Sequence, residues 1–129
     1  MGTRVLLADD HAIVRQGLRI LLEHGGFEIV GGAANGRGAA QMAAASCPRL
    51  AVLGYGMPVM TGVDAAREIL GTCPRVKVIL LTMHADDRYV LEAVRLGVRG
   101  YVVKSQASED LVRAIRADPR FSRLPIITL

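Results

Sequence analysis

The sequence predicts one α/β domain whose sheet is parallel and wound with helices on both faces. Short, continuous, β-rich apolar runs alternate with segments of helical period along 129 residues, a length that suits a single domain. Helical crossovers between such runs impose parallel pairing, and their right-handedness places helices on both faces. The runs also end on a telling set of residues. Val5–Ala8 leads into Asp9-Asp10, Val78–Leu81 into Thr82, Tyr101–Val103 into Lys104, and Ala51–Leu53 into Gly54. In an open parallel sheet these positions line one edge, where ligands bind as strand order reverses.

Each element follows from local pattern. Val5–Ala8 reads as a strand buried on both faces. Residues 12–24 place Val14, Leu18, Leu21 and Leu22 on one helical face, and Gly25-Gly26 ends that helix. Phe27–Val30 is the second strand. An alanine-rich helix over about 37–46 follows, with Gly36 and Gly38 weakening its start. Ala51–Leu53 is the third strand, and Thr61 caps the next helix with Asp64 in a capping-box variant. Val76–Leu81 is the fourth strand. Asp86-Asp87 open a helix that Gly97 closes, Gly100–Val103 is the fifth strand, and Ser108 caps a last helix with Glu109 and Asp110 in its first turn.

An internal echo supports this alternation. Ser46-Cys47-Pro48-Arg49-Leu50 recurs as Thr72-Cys73-Pro74-Arg75-Val76, and Asp118-Pro119-Arg120-Phe121 is a third variant. Each reads as a helix stopped by proline before an extended segment. The domain is assigned to residues 1–117, and 118–129 form an atypical tail that reads as an extra strand or a truncated continuation.

Composition narrows the function classes. No apolar stretch is long enough to span a bilayer and no charged-then-apolar leader opens the chain, so a cytoplasmic location and no membrane partner are expected. The net charge of +4 comes from arginines spread along the chain, without a basic block or aromatics for base stacking, which reads as a solvated surface and not a nucleic-acid interface. Cys47 and Cys73 are the only cysteines and are expected to be inert, unbridged thiols; no His/Cys spacing matches a zinc site.

The chemistry concentrates at the predicted edge. Asp9 and Asp10 form an oxygen-rich pair suited to Mg²⁺. Lys104 supplies a cation able to hold a carboxylate or phosphoryl oxygen, and Thr82 a hydroxyl. The segments VLLADDHAIVRQGLRILLE, GMPVMTGVDAAREI, VKVILLTMHADDRYVLEAVRLGVRGYVVK and ASEDLVRAIRA resemble the receiver domain of bacterial two-component response regulators, most closely the LuxR-type transcription factors, from about residue 4 to 117. The resemblance implies a flavodoxin-like (βα)5 sandwich with strand order 2-1-3-4-5. It implies that Asp9, Asp10 and the Gly56 carbonyl hold Mg²⁺, and that Thr82, Tyr101 and Lys104 form the switch. It also implies that the phosphoacceptor aspartate, four residues before the proline of Met57-Pro58, is replaced by Gly54. Arg49 and Thr61 stand where the family commonly carries acids.

Glycine has no carboxylate, so no acyl phosphate forms there, and Mg²⁺ binding is expected to weaken. The expected protein is therefore a non-enzymatic receiver acting as a protein-interaction module. Its partners would be a histidine kinase or another signalling protein, with a homodimer as a further candidate and no DNA-binding domain in this chain. The alternatives are a Mg²⁺-dependent phosphohydrolase using Asp9 as nucleophile, or a small-ligand binder such as a cobalamin or flavin protein; the latter lacks a glycine-rich phosphate loop after the first strand. His11 is expected at the start of the first helix, Met57, Met60 and Met83 beneath loops, Tyr89 over a helix face, and His84 in solvent near the crevice.

Overall fold

The computed structural model describes residues 3–82, 95–97 and 100–103. The chain runs through β1 (Thr3–Ala8), α1 (Ala12–His24), β2 (Phe27–Ala33), α2 (Gly36–Ser46), β3 (Leu50–Gly54), α3 (Gly62–Thr72), β4 (Lys77–Thr82) and β5 (Gly100–Val103). Every pairing is parallel, and the first four strands lie in the order β2-β1-β3-β4, as expected. β5 pairs beside β4, with Ile79 opposite Gly100 and Thr82 opposite Val103. Gly97 has a φ of 99°, the left-handed geometry of a helix-closing glycine. Lys104, His84, Met83, Tyr89, the helix capped by Ser108 and the 118–129 tail lie outside the described residues.

Strand alternation divides the core into two layers. Val5, Leu7, Leu50, Val52, Ile79 and Leu81 pack with Leu18 and Leu22 of α1 and with Phe27. Leu6, Ala8, Ala51, Leu53, Val78 and Leu80 pack on the opposite side, with Ala39 and Ala43 of α2 and Val63, Ala66 and Ile69 of α3. The strands read as unbroken apolar runs because both of their faces are covered. The small residues of α2 let it approach the sheet closely.

Two boundaries that shape the core differ from expectation, the end of β2 and the start of α2. β2 continues through Gly31-Gly32 to Ala33, and a register shift between Val5 and Leu6 leaves Val30 as the extra residue. A Cβ at Gly31 would come 3.0 Å from Met42 Sδ, so this glycine makes room for α2. α2 begins at Gly36, not Arg37: Asn35 caps it by accepting a 2.8 Å bond from Gly38 N. A Cβ at Gly36 would collide with the backbone of Met60. The glycine that weakens helix propensity there is what lets the helix start against that loop.

The expectation of inert, unbridged cysteines is overturned. Cys47 and Cys73 form a disulfide with Cα atoms 5.7 Å apart. Each follows the last residue of its helix, and those helices, α2 and α3, are packed neighbours. The echoed Cys-Pro-Arg segments are therefore brought side by side at the sheet edge opposite Asp9.

At Gly62 an added Cβ would strike the carbonyl of Gly54, whereas nothing lies within 4 Å of one at Gly71, exposed on the same helix. Gly62→Ala should therefore destabilise the domain by about 3 kcal/mol in urea melts, through overpacking against backbone. Gly71→Ala should be neutral or stabilise by ~0.5 kcal/mol, through reduced unfolded-state entropy. Equal effects would mean that α3 does not abut the end of β3.

Candidate functional site

The β1 and β3 ends form the centre of the edge. Ala8 is paired with Leu53, so Asp9 and Gly54 are the next residues on adjacent strands. Both fall on the α1 side by alternation, following Val5 and Leu7 in one strand and Leu50 and Val52 in the other. Asp9 is fully buried, the one buried charged residue among those described. Its Oδ2 lies 3.0 Å from where a Cβ on Gly54 would stand, and its Cγ 3.5 Å away. The carboxylate thus leans over the Gly54 Cα.

Asp9 is held by several groups. Its N–H donates to the Ala33 carbonyl of β2 at 3.0 Å. Its carbonyl accepts from Arg15 Nη1 at 2.6 Å, and its Oδ1 accepts from the His11 N–H at 2.8 Å. His11 is the N-cap residue of α1, as expected, and contributes no side-chain cap. Its Nδ1 instead lies 3.2 Å from an oxygen of Asp9 and 3.2 Å from one of Asp10. Ligand atoms of Asp9, Asp10 and His11 all fall within 4.8 Å of one another. The two carboxylates fit a hard divalent cation, with waters completing its shell; an imidazole beside them widens the set to borderline metals.

The loop from Tyr55 to Thr61 closes the edge. Tyr55 N donates to Leu81 O of β4 at 2.7 Å, and Gly62 N donates to Tyr55 O at 2.8 Å. Met57 is buried beneath this loop and Met60 packs against the core, both as expected. Thr61 Oγ1 accepts from Asp64 N at 3.2 Å as the cap of α3, while the Asp64 carboxylate pairs with Arg67 at 3.0 Å. A Cβ at Gly56 would meet nothing within 4 Å, so this turn residue faces open space. Val59 has a φ of 69°, a strained conformation for a β-branched residue, and its side chain is 74% exposed.

The structure thus brings Asp9, Asp10 and Gly54 together and places Thr82 and Tyr101 in β4 and β5 by backbone. Two contributors are not among the residues singled out above, for different reasons. Arg15 lies one helical turn beyond His11, but an arginine on an exposed helix carries no distinguishing signal. Asn35 was readable, because an asparagine before a helical segment is a standard cap.

Comparison with known proteins agrees with this fold. Residues 5–116 match the family model described as response regulator receiver domain. The chain belongs to the response regulator receiver domain family. The receiver is 34% identical to the uncharacterized transcriptional regulatory protein YxjL of Bacillus subtilis, over 91% of this chain and 54% of that protein. It is 33% identical to the chemotaxis protein CheY of Thermotoga maritima, over 89% of this chain and 96% of that one. Among solved structures, the LuxR-family DNA-binding response regulator of Staphylococcus aureus superposes with a TM-score of 0.80 at 32% identity, covering 88% of this chain and 95% of that one. The receiver spans about half the length of several transcriptional regulators it matches, at 54% for YxjL and 48% for DegU of Brevibacillus brevis. Among the described residues, no helix is long and apolar enough to cross a membrane.

Val59→Gly should stabilise the receiver by ~1 kcal/mol, because it removes a left-handed β-branched residue with little packing to lose. Chemical denaturation measures this; a loss of stability would mean that the Val59 side chain is held by contacts.

Proposed function

We propose that this receiver is a protein-interaction module of a LuxR-type transcriptional regulator that works without phosphorylation at position 54. The observation that carries the reading is Gly54 at the end of β3, with the Asp9 carboxylate leaning over its Cα. By resemblance this is the phosphoacceptor position. Without a carboxylate, position 54 offers no nucleophile for a phosphoryl group, and the hydroxyls of Thr61, Thr82 and Ser105 are not activated carboxylates.

Asp9, Asp10 and the Gly56 carbonyl are the residues that would hold Mg²⁺, more weakly than in a receiver with a third carboxylate. When bound, the cation would neutralise the two acids. Thr82, Tyr101 and Lys104 keep the residue types of a receiver switch, so protein contacts would set its state in place of a phosphoryl group. Partners on this reading are a histidine kinase or another signalling protein, with a second copy of the chain as a further candidate, in the cytoplasm. The domain is taken as residues 1–117, with 118–129 a separate tail. A phosphohydrolase using Asp9 is disfavoured: that carboxylate is fully buried and already accepts the His11 N–H.

Incubation with acetyl phosphate and Mg²⁺, followed by intact-mass analysis, tests this. No adduct is expected on this chain and one phosphoryl adduct on a Gly54→Asp variant. Asp9 has only to yield a few tenths of an ångström to admit the new Cβ. An adduct on the unaltered chain would overturn the reading.

A further inference from the structure

The Cys47–Cys73 disulfide lies far from the edge that carries Asp9, and nothing in the receiver reading uses it. Its two halves differ in environment. Cys47 is exposed, at the C-cap of α2 with a φ of 38°. Cys73 is 5% exposed, and its Sγ lies 3.5 Å from the Ala43 carbonyl oxygen. The bond borders an open groove of about 760 Å³ lined by Cys47, Pro48, Arg49, Cys73, Pro74 and Arg75, with Lys77 beside them.

We propose that Cys47–Cys73 is a thiol–disulfide exchange site, opened by a dithiol reductant that enters this groove and attacks Cys47. Disulfide exchange needs an anionic thiolate to reach an accessible sulfur, and nearby cations favour both the attacking and the departing thiolate. Cys47 supplies the accessible sulfur, and Arg49, Arg75 and Lys77 supply the positive surroundings. The reductant thiolate bonds to Cys47 Sγ as the bond between the two cysteines breaks. The electron pair leaves on Cys73 Sγ, which takes a proton and gains the Ala43 carbonyl as an acceptor for its S–H. The second thiol of the reductant then attacks the mixed disulfide. This frees the Cys47 thiol and carries off two electrons as the reductant's own disulfide.

The position of the bond gives the exchange a consequence. α2 and α3 start at the functional edge, where Gly36 abuts Met60 and Gly62 abuts Gly54, and end at Cys47 and Cys73. The covalent ring closed by the bond spans 26 positions and contains β3, Gly54, the 55–61 loop and α3. Reduction opens the ring that carries the site. As an input to signalling, the site rests on the reading of position 54 as silent; as chemistry, it does not.

The test treats the full chain, equilibrated with oxidised glutathione and then titrated with dithiothreitol under native conditions. N-ethylmaleimide labelling with intact-mass analysis, thermal melts and amide hydrogen exchange are the readouts. The oxidised chain should take no label and the reduced chain two. The melting midpoint should fall by about 10 °C on reduction, and exchange should quicken over residues 36–46 and 62–72. A Cys47→Ser/Cys73→Ser variant should melt at the reduced value with no response to reductant. Free thiols that persist in oxidised glutathione would overturn the proposal, as would a bond that opens only in denaturant, which would make it a structural staple. A phosphoryl adduct on the unaltered chain would overturn the reading of Gly54 and leave these thiol readouts unchanged.

Discussion

The edge of this receiver depends on one close approach: the buried carboxylate of Asp9 lies over the bare Cα of Gly54. Burying a carboxylate is costly unless hydrogen bonds compensate. Here the His11 N–H and imidazole meet its Oδ1, while the Asp9 backbone is tied to β2 through Ala33 and to α1 through Arg15. A second carboxylate at position 54 would stand against the first, and like charges so close disfavour joint ionisation. A glycine there removes that repulsion and lets Asp9 take up the space.

The same edge is braced by backbone packing. Gly62 brings the start of α3 against the Gly54 carbonyl, and Gly36 brings the start of α2 against Met60. Side chains at either position would push a helix away from the loop between β3 and α3. Both helices therefore report on that loop at their first turns, and the Cys47–Cys73 bond ties their far ends. Gly54 thus lies against the first turn of α3, and the disulfide joins the opposite ends of α2 and α3.

Much of this was readable from the chain. Apolar runs buried on both faces located the strands through Thr82 within a few residues, and the residues at their ends located Asp9, Asp10 and Gly54, because strand ends in a parallel sheet share an edge. Thr61 was readable as a cap because its hydroxyl acts locally. What escaped depends on contacts distant in sequence. Gly36 looked like a helix-weakening residue because Met60, which it abuts, is remote. The glycines of β2 looked like the end of a strand because the bulge at Val30 shows only in pairing with β1. The cysteines looked inert because an expected cytoplasmic location disfavours disulfides, yet the repeated Cys-Pro-Arg segments end neighbouring helices, which brings the two thiols within bonding reach.

The proposal that the missing carboxylate at position 54 silences the edge is tested most directly by calorimetric titration with Mg²⁺, alone and with beryllofluoride, an acyl-phosphate mimic that needs a carboxylate to bind. Mg²⁺ affinity should be at least about tenfold below that of a Gly54→Asp variant, since losing a ligand should cost no less than losing a hydrogen-bonding partner of one, and beryllofluoride should add no heat. Equal Mg²⁺ affinity in the two chains, or saturable beryllofluoride binding to the unaltered one, would contradict it.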